Sequence, residues 1–182
     1  LEEVRDVITD LGEKINIWYM HGNRDFLVSK SICKNLKINL LDDPTVVEID
    51  NVKILLLHGD TLCTDDHEYQ NFRSMVRSSS WQKEMLSKSL GERLTIANNL
   101  REKSIEANRL KGEEIMDVNN AEVMNIIDKY KPDVIIHGHT HRPNIHHHNN
   151  NVIRYVLGDW YNNFFILTYD NDKFYINKGS LK

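Results

Sequence analysis

Three short apolar runs in this chain end in the same way. Ile15 to Met20 is followed by His21-Gly22-Asn23-Arg24-Asp25, Ile54 to Leu57 by His58-Gly59-Asp60, and Val134 to Ile136 by His137-Gly138-His139-Thr140-His141. Each run has the length and composition of a buried strand. In open α/β sheets, the groups that follow the carboxyl ends of neighbouring strands gather in one crevice. Glycine at the turn lets the backbone bend sharply and approach a bound ion or phosphate, while the next side chain projects into the crevice.

The residue types at these turns suggest the chemistry. His and Asn together with carboxylates form a mixed nitrogen and oxygen set suited to manganese, iron or zinc more than to calcium, and no thiolate belongs to it. A single His-Gly pair after a strand is usually only a turn; three repeats are less ordinary. His139 and His141 alternate, so an extended segment would point both into one cavity, while His137, at the very end of the apolar run, reads as mainly structural. Asp25 and Asp60 read as helix caps or as supports behind the ligands before they read as ligands.

Composition excludes several classes. The 182 residues, 40% hydrophobic and 27% charged, suit one soluble globular domain with an insertion and not a disordered chain. A net charge of −4 argues against a duplex nucleic-acid binder. Cys33 and Cys63 lack metal-site spacing and read as reduced, inert thiols. No apolar run approaches the roughly 20 residues that span a bilayer, and Leu1-Glu2-Glu3 does not open a signal peptide. A cytosolic or peripheral location is expected. Leu1, Val4, Val7, Ile8 and Leu11 recur at helical spacing up to Gly12.

Residues 66 to 128 carry helical spacing and are too long for a loop. Residues 73 to 111 hold nine Lys and Arg against four Glu, a local balance of +5. A basic helical insertion suits an anionic ligand or an anionic membrane surface, and suits an ordinary solvated subdomain equally well. Trp81, Met85, Leu86, Leu90, Leu94 and Ile96 could pack these helices together or line an acyl-chain chamber. His146-His147-His148-Asn149-Asn150-Asn151 reads as a solvated hairpin, because three consecutive histidines cannot reach one ion from a regular element. The segments 152–157, 164–169 and 173–176 read as closing strands.

Gly22-Asn23-Arg24-Asp25, His58-Gly59-Asp60 and Gly138-His139-Thr140-His141 resemble the later motifs of the calcineurin-like metallophosphoesterases. The longer strings from His58 to Asp66, Glu106-Ala107-Asn108, Ile115 to Asn119 and His139 to Pro143 are similar to one branch of that family. That branch hydrolyses UDP-2,3-diacylglucosamine at its pyrophosphate in lipid A biosynthesis. The resemblance implies an α/β metallophosphoesterase sandwich made of residues 1–65 and 129–182, with a helical cap over 66–128. It implies two manganese ions, with Asn23, His58 and His139 on one and His141 on the other. Arg24 and His139 would act in catalysis. Asn23, Arg24, His139, Asp66, Tyr69, Arg101, Ser104, Asn108 and Lys111 would contact substrate. Ser104, Asn108 and Lys111 also share a helix face by spacing, which without the resemblance reads as plain surface. The implied setting is the cytoplasmic face of the bacterial inner membrane, as a peripheral monomer with no nucleic-acid partner.

The family's opening Asp-x-His and Gly-Asp motifs have no counterpart here, so the chain is expected to lack the N-terminal strands and to hold at most part of the metal pair. Other readings are a phosphoesterase of soluble phosphodiesters, which would make no use of Ser104, Asn108 and Lys111, and a non-catalytic relic, which metal occupancy would distinguish.

Overall fold

The structure, a computed structural model, describes residues 2–112 and 115–181, without the side chains of Asn108 and Leu110. The chain forms two compact units, Leu1–Asp60 with Asn120–Lys182, and Thr61–Asn119.

The first unit is built on a five-stranded mixed sheet in the order β3(Thr45–Ile49), β4(Val52–Leu56), β5(Val134–His137), β7(Ile153–Val156) and β6(Asn144–His147). The three central strands β4, β5 and β7 are parallel, and β3 and β6 flank them antiparallel. Parallel neighbours end on the same side, so the segments after Leu56, His137 and Val156 emerge along one edge. The centre of the sheet is apolar because both faces are covered: Ile54, Leu55, Val134 and Ile135 are all buried. A second layer comes from the hairpin β8(Asn163–Asp170)–β9(Lys173–Ser180). Leu167, Phe174 and Ile176 of this hairpin pack against Ile54, Val134 and Tyr155. The sandwich expected from the closing segments is therefore formed.

The first apolar run behaves differently from the other two. Only Trp18–Met20 is a strand, β1, and it pairs in parallel with β2(Asn39–Leu41) in a small sheet of its own. It is not the buried strand that its composition suggested, since Ile15 and Trp18 are 58% and 61% exposed. Trp18, Met20 and Leu41 face a cavity of about 270 Å³ with Leu56, Ile136 and Leu157, so the apolar side chains border open space instead of packing. Helix α1(Glu2–Gly12) forms at the expected spacing, with Val4, Val7 and Leu11 on its exposed surface. Helix α2(Lys30–Asn35) begins at Ser29, whose hydroxyl accepts from the backbone of Ile32. Helix α6(Asn120–Tyr130) also belongs to this unit, with Val123 and Ile127 buried.

The second unit holds helices α3(His67–Val76), α4(Ser79–Ser87) and α5(Leu90–Leu110), and each start has a chemical cause. Asp66 and Ser78 accept from the third backbone N–H ahead, and Ser89 with Glu92 forms a reciprocal capping box. Val76 and Met85 are buried, whereas Leu86, Leu90 and Leu94 are 51%, 65% and 56% exposed, so most of the apolar material of α4 and α5 is not spent on packing them together. Among the described residues no helix is long and apolar enough to cross a membrane.

Candidate active site

The turn after β4 and the turn after β5 are tied together by their backbones. Leu57 N–H donates to the Ile136 carbonyl and Gly138 N–H to the His58 carbonyl, extending the ladder past the ends of the strands. This brings His58 Nε2 and His139 Nδ1 to 3.2 Å, with the two rings edge to face at 5.0 Å between centroids. Two imidazole nitrogens bound side by side to one divalent ion at about 2.0–2.1 Å stand about 3.0–3.4 Å apart. The separation of the two nitrogens matches that of a shared ion, and it equally suits an N–H···N hydrogen bond.

The other expected ligands lie around this pair in different ways. Gly22 stands against His58, since a Cβ built on it would lie 3.2 Å from His58 Cε1, and this places the half-buried Asn23 one residue from the imidazole. His141 faces elsewhere, with Nδ1 3.5 Å from Asp159 Oδ2 and its ring near Tyr161. The reason is local backbone geometry. His139 and His141 both adopt left-handed conformations, φ 66° and 55°, and Thr140 N–H closes on the Gly138 carbonyl, so the segment is coiled and strand alternation does not apply. Among the described residues, no group of three or more His, Cys, Asp and Glu side chains is arranged to hold a metal ion.

The three glycines of the repeated motif do different work. Only Gly59 takes a positive φ, 112°, where a Cβ would stand 2.8 Å from His137 Nδ1 and 3.0 Å from the Gly138 carbonyl oxygen. Gly22 is needed for close approach to His58, while Gly138 has room, its nearest atom being the His58 carbonyl at 3.8 Å.

The carboxylates support these turns. Asp25 does not cap a helix: its Oδ1 accepts from Gly22 N–H at 2.6 Å and closes the Asn23-Arg24 turn on itself. Burial and this neighbouring carboxylate push the Tyr19 hydroxyl well above its ordinary range. Asp60 is fully buried in the short 3₁₀ turn Asp60–Leu62. Asp43, absent from the sequence reading, accepts from the His58 backbone N–H at 3.2 Å. His21 bonds the Val28 carbonyl through Nε2 at 2.7 Å and takes no part in the site. Arg24 is exposed and free to swing toward a ligand.

His137 is structural: it is 1% exposed, with Nδ1 3.0 Å from the Gly138 carbonyl and Nε2 2.9 Å from the Arg154 guanidinium. Burial, helped by the Arg154 charge, pulls its pKa down to about 4. Sequence reasoning passed over Arg154, although a lone arginine inside Val152-Ile153-Arg154-Tyr155-Val156 signals a buried charge that must find partners. Asp159, on the turn after β7, is the residue that meets His141.

In the second unit, Lys111 Nζ is 2.7 Å from Asp66 Oδ1 and 3.4 Å from Glu68 Oε2, and Asp66 also accepts from Tyr69 N–H. Arg101 and Ser104 lie on the exposed surface of α5, and the Asn108 side chain is outside the described residues. Asn119 holds both carboxylate oxygens of Asp65, and Cys63, a buried thiol outside any disulfide like Cys33, donates to the Met116 carbonyl. His146 and His147 sit on β6, which turns through His148 to Asn151 into β7 as the expected hairpin.

Strand-end imidazoles on a mixed sheet within a two-layer α/β unit are the arrangement of a calcineurin-like phosphoesterase. The chain belongs to that family, whose model matches residues 2–143. It is 47% identical over 163 residues to the UDP-2,3-diacylglucosamine hydrolase of Marinobacter nauticus, covering 88% of this chain and 64% of the relative. Against the protein of the same name from Chromohalobacter salexigens it is 42% identical, covering 84% of this chain and 63% of that one. Against that from Aromatoleum aromaticum it is 39% identical over 92% and 70%. The chain thus spans 63% to 64% of the length of the first two relatives. The fold is shared with a solved archaeal phosphodiesterase, at a TM-score of 0.50 and 18% identity over 97% of this chain and 76% of that one. Divalent metal use follows from the family.

Proposed function

We propose that this chain is part of a metal-dependent hydrolase that cleaves the pyrophosphate of UDP-2,3-diacylglucosamine to UMP and 2,3-diacylglucosamine 1-phosphate. The observation that carries the metal chemistry is the 3.2 Å approach of His58 Nε2 to His139 Nδ1 on the edge where parallel strands end. The substrate assignment is supported by the shared name of the relatives and by their 39% to 47% identity. His58 and His139 are the side chains that would hold an ion, with Asn23 on the turn beside them. When bound, divalent ions, which we take to be manganese, acidify water and neutralise charge on phosphoryl oxygens.

The chain's own groups supply the rest. Arg24 can meet a phosphate with a planar, permanently charged fork. The Lys111–Asp66 pair and the exposed Ser104 and Arg101 offer charge and hydroxyl chemistry suited to a sugar phosphate. The exposed Leu86, Leu90 and Leu94, amid the basic residues of α4 and α5, suit acyl chains and an anionic bilayer surface, so we place the protein peripherally on the inner membrane, as a monomer.

The test is ³¹P NMR of the chain with UDP-2,3-diacylglucosamine and Mn²⁺, run beside the Marinobacter relative. Appearance of UMP, abolished in His58→Ala, is the expected result. Hydrolysis of bis(p-nitrophenyl) phosphate with none of the lipid nucleotide would replace the reading with a soluble phosphodiesterase. Product formation undiminished in His58→Ala would remove the site.

A further inference from the structure

Arg154 is 3% exposed on the central strand β7 and spans two imidazoles on neighbouring segments. Its Nη1 donates to His137 Nε2 at 2.9 Å, and its Nε donates to His148 Nε2 at 3.2 Å. A guanidinium has only donors, so His137 Nε2 must accept and carry no hydrogen. The hydrogen of the neutral ring then resides on Nδ1, which faces the Gly138 carbonyl oxygen at 3.0 Å, an atom that can only accept. The arginine therefore selects one tautomer, and that tautomer grips the peptide leading into His139.

Backbone hydrogen bonds also tie this turn. Leu157 N–H bonds the His137 carbonyl, Gly138 N–H bonds the His58 carbonyl, and Thr140 N–H returns to the Gly138 carbonyl. The Gly138 carbonyl is thus the shared acceptor of the His137 ring and of the coiled segment that sets His139 at φ 66°. Gly59 crosses directly over this point, with the space of its missing Cβ bounded by His137 Nδ1 and the same carbonyl. Turning the His137 ring to its other tautomer would set two lone pairs against each other at 3.0 Å, and the carbonyl would have to rotate away, taking His139 off line with His58.

We propose that Arg154 is a positioning residue for the ligand His139, acting through the tautomer of His137 and the Gly138 carbonyl without touching the site. This rests on the reading of His58 and His139 as ligands. Partners that orient a ligating group from behind typically matter about 10–100-fold in metal affinity.

The experiment uses the full chain with Co²⁺ as probe. Long-range ¹H–¹⁵N spectra should show His137 protonated at Nδ1 in the wild type and released to the Nε2–H form in Arg154→Met, which keeps the apolar stem. Co²⁺ should bind Arg154→Met at least ~10-fold more weakly, measured well below the melting midpoint. Arg154→Lys, which retains a single charged donor nitrogen, should recover part of both signals, and His148→Ala should leave Co²⁺ affinity within about twofold of wild type, since it removes only the other acceptor. If Arg154→Met does not fold, the tautomer of the wild type and the Arg154→Lys affinity still decide. An Nε2–H ring in the wild type, or Arg154 variants that bind Co²⁺ like the wild type while His58→Ala does not, would overturn the proposal alone. Unchanged Co²⁺ binding in His58→Ala would instead strike the ligand reading beneath it.

Discussion

Gly59 and Gly138 occupy the same place in the repeated His-Gly motif, yet alanine should be costly at the first and nearly neutral at the second. At Gly59 the new Cβ meets two obstacles. The φ of 112° is one that residues with a Cβ rarely adopt, costing about 1–3 kcal/mol. The contacts at 2.8 Å to His137 Nδ1 and 3.0 Å to the Gly138 carbonyl involve a packed ring and a backbone atom, so overpacking adds about 1–3 kcal/mol. Gly59→Ala should therefore lose about 2–6 kcal/mol. At roughly 2–4 °C per kcal/mol for a chain of this size, the melting midpoint should fall by about 10 °C. At Gly138 the nearest atom to a Cβ is 3.8 Å away, and the effect should stay within about 1 kcal/mol of zero. Thermal unfolding followed by far-ultraviolet circular dichroism compares the two directly. Midpoints for Gly59→Ala and Gly138→Ala within 2 °C of each other, on the order of the uncertainty of the scaling used, would refute the reasoning.

His137 should make stability depend on acidity. Its pKa is held at about 4 in the fold against 6.5 when unfolded, so below pH 6.5 the unfolded chain binds the extra proton and the fold does not. Stability should decline as pH falls from 6.5 toward 4, by up to about 3 kcal/mol, and urea midpoints of chelator-treated protein should fall less steeply in His137→Gln than in wild type. In the second unit, Lys111→Ala strands the Asp66 carboxylate, of which only 9% of the side chain is exposed, and should cost about 1–3 kcal/mol. Asp66→Ala should cost about 1 kcal/mol more because it also uncaps α3. A double-mutant cycle showing no coupling between the two would contradict the pair.

Much of the fold was legible from local pattern. The runs Ile54 to Leu57 and Val134 to Ile136 became central parallel strands because a sheet covered on both faces needs apolar residues at both parities. The capping residues Ser78, Ser89 and Asp66 mark helix starts by side-chain chemistry that acts within three residues. The hairpin through His148 was readable from its asparagines, two of which adopt left-handed backbone. Ile15 to Met20 has the composition of the two buried runs but stays exposed at Ile15 and Trp18, because burial depends on what lies opposite. His141 departed from His139 because a left-handed turn, not an extended strand, joins them.

The division between sequence and structure follows the range of the forces involved. Residue type and spacing alone determined that imidazoles would follow strands, that glycine would stand at each turn, and that a basic helical insertion would interrupt the sheet, since propensity and periodicity act over a few neighbouring residues. Only tertiary structure decided that His58 meets His139, that His141 meets Asp159, and that a buried Arg154 holds the ring behind the turn. These contacts join positions from 17 to 81 residues apart, where hydrogen-bond geometry depends on strand order and register.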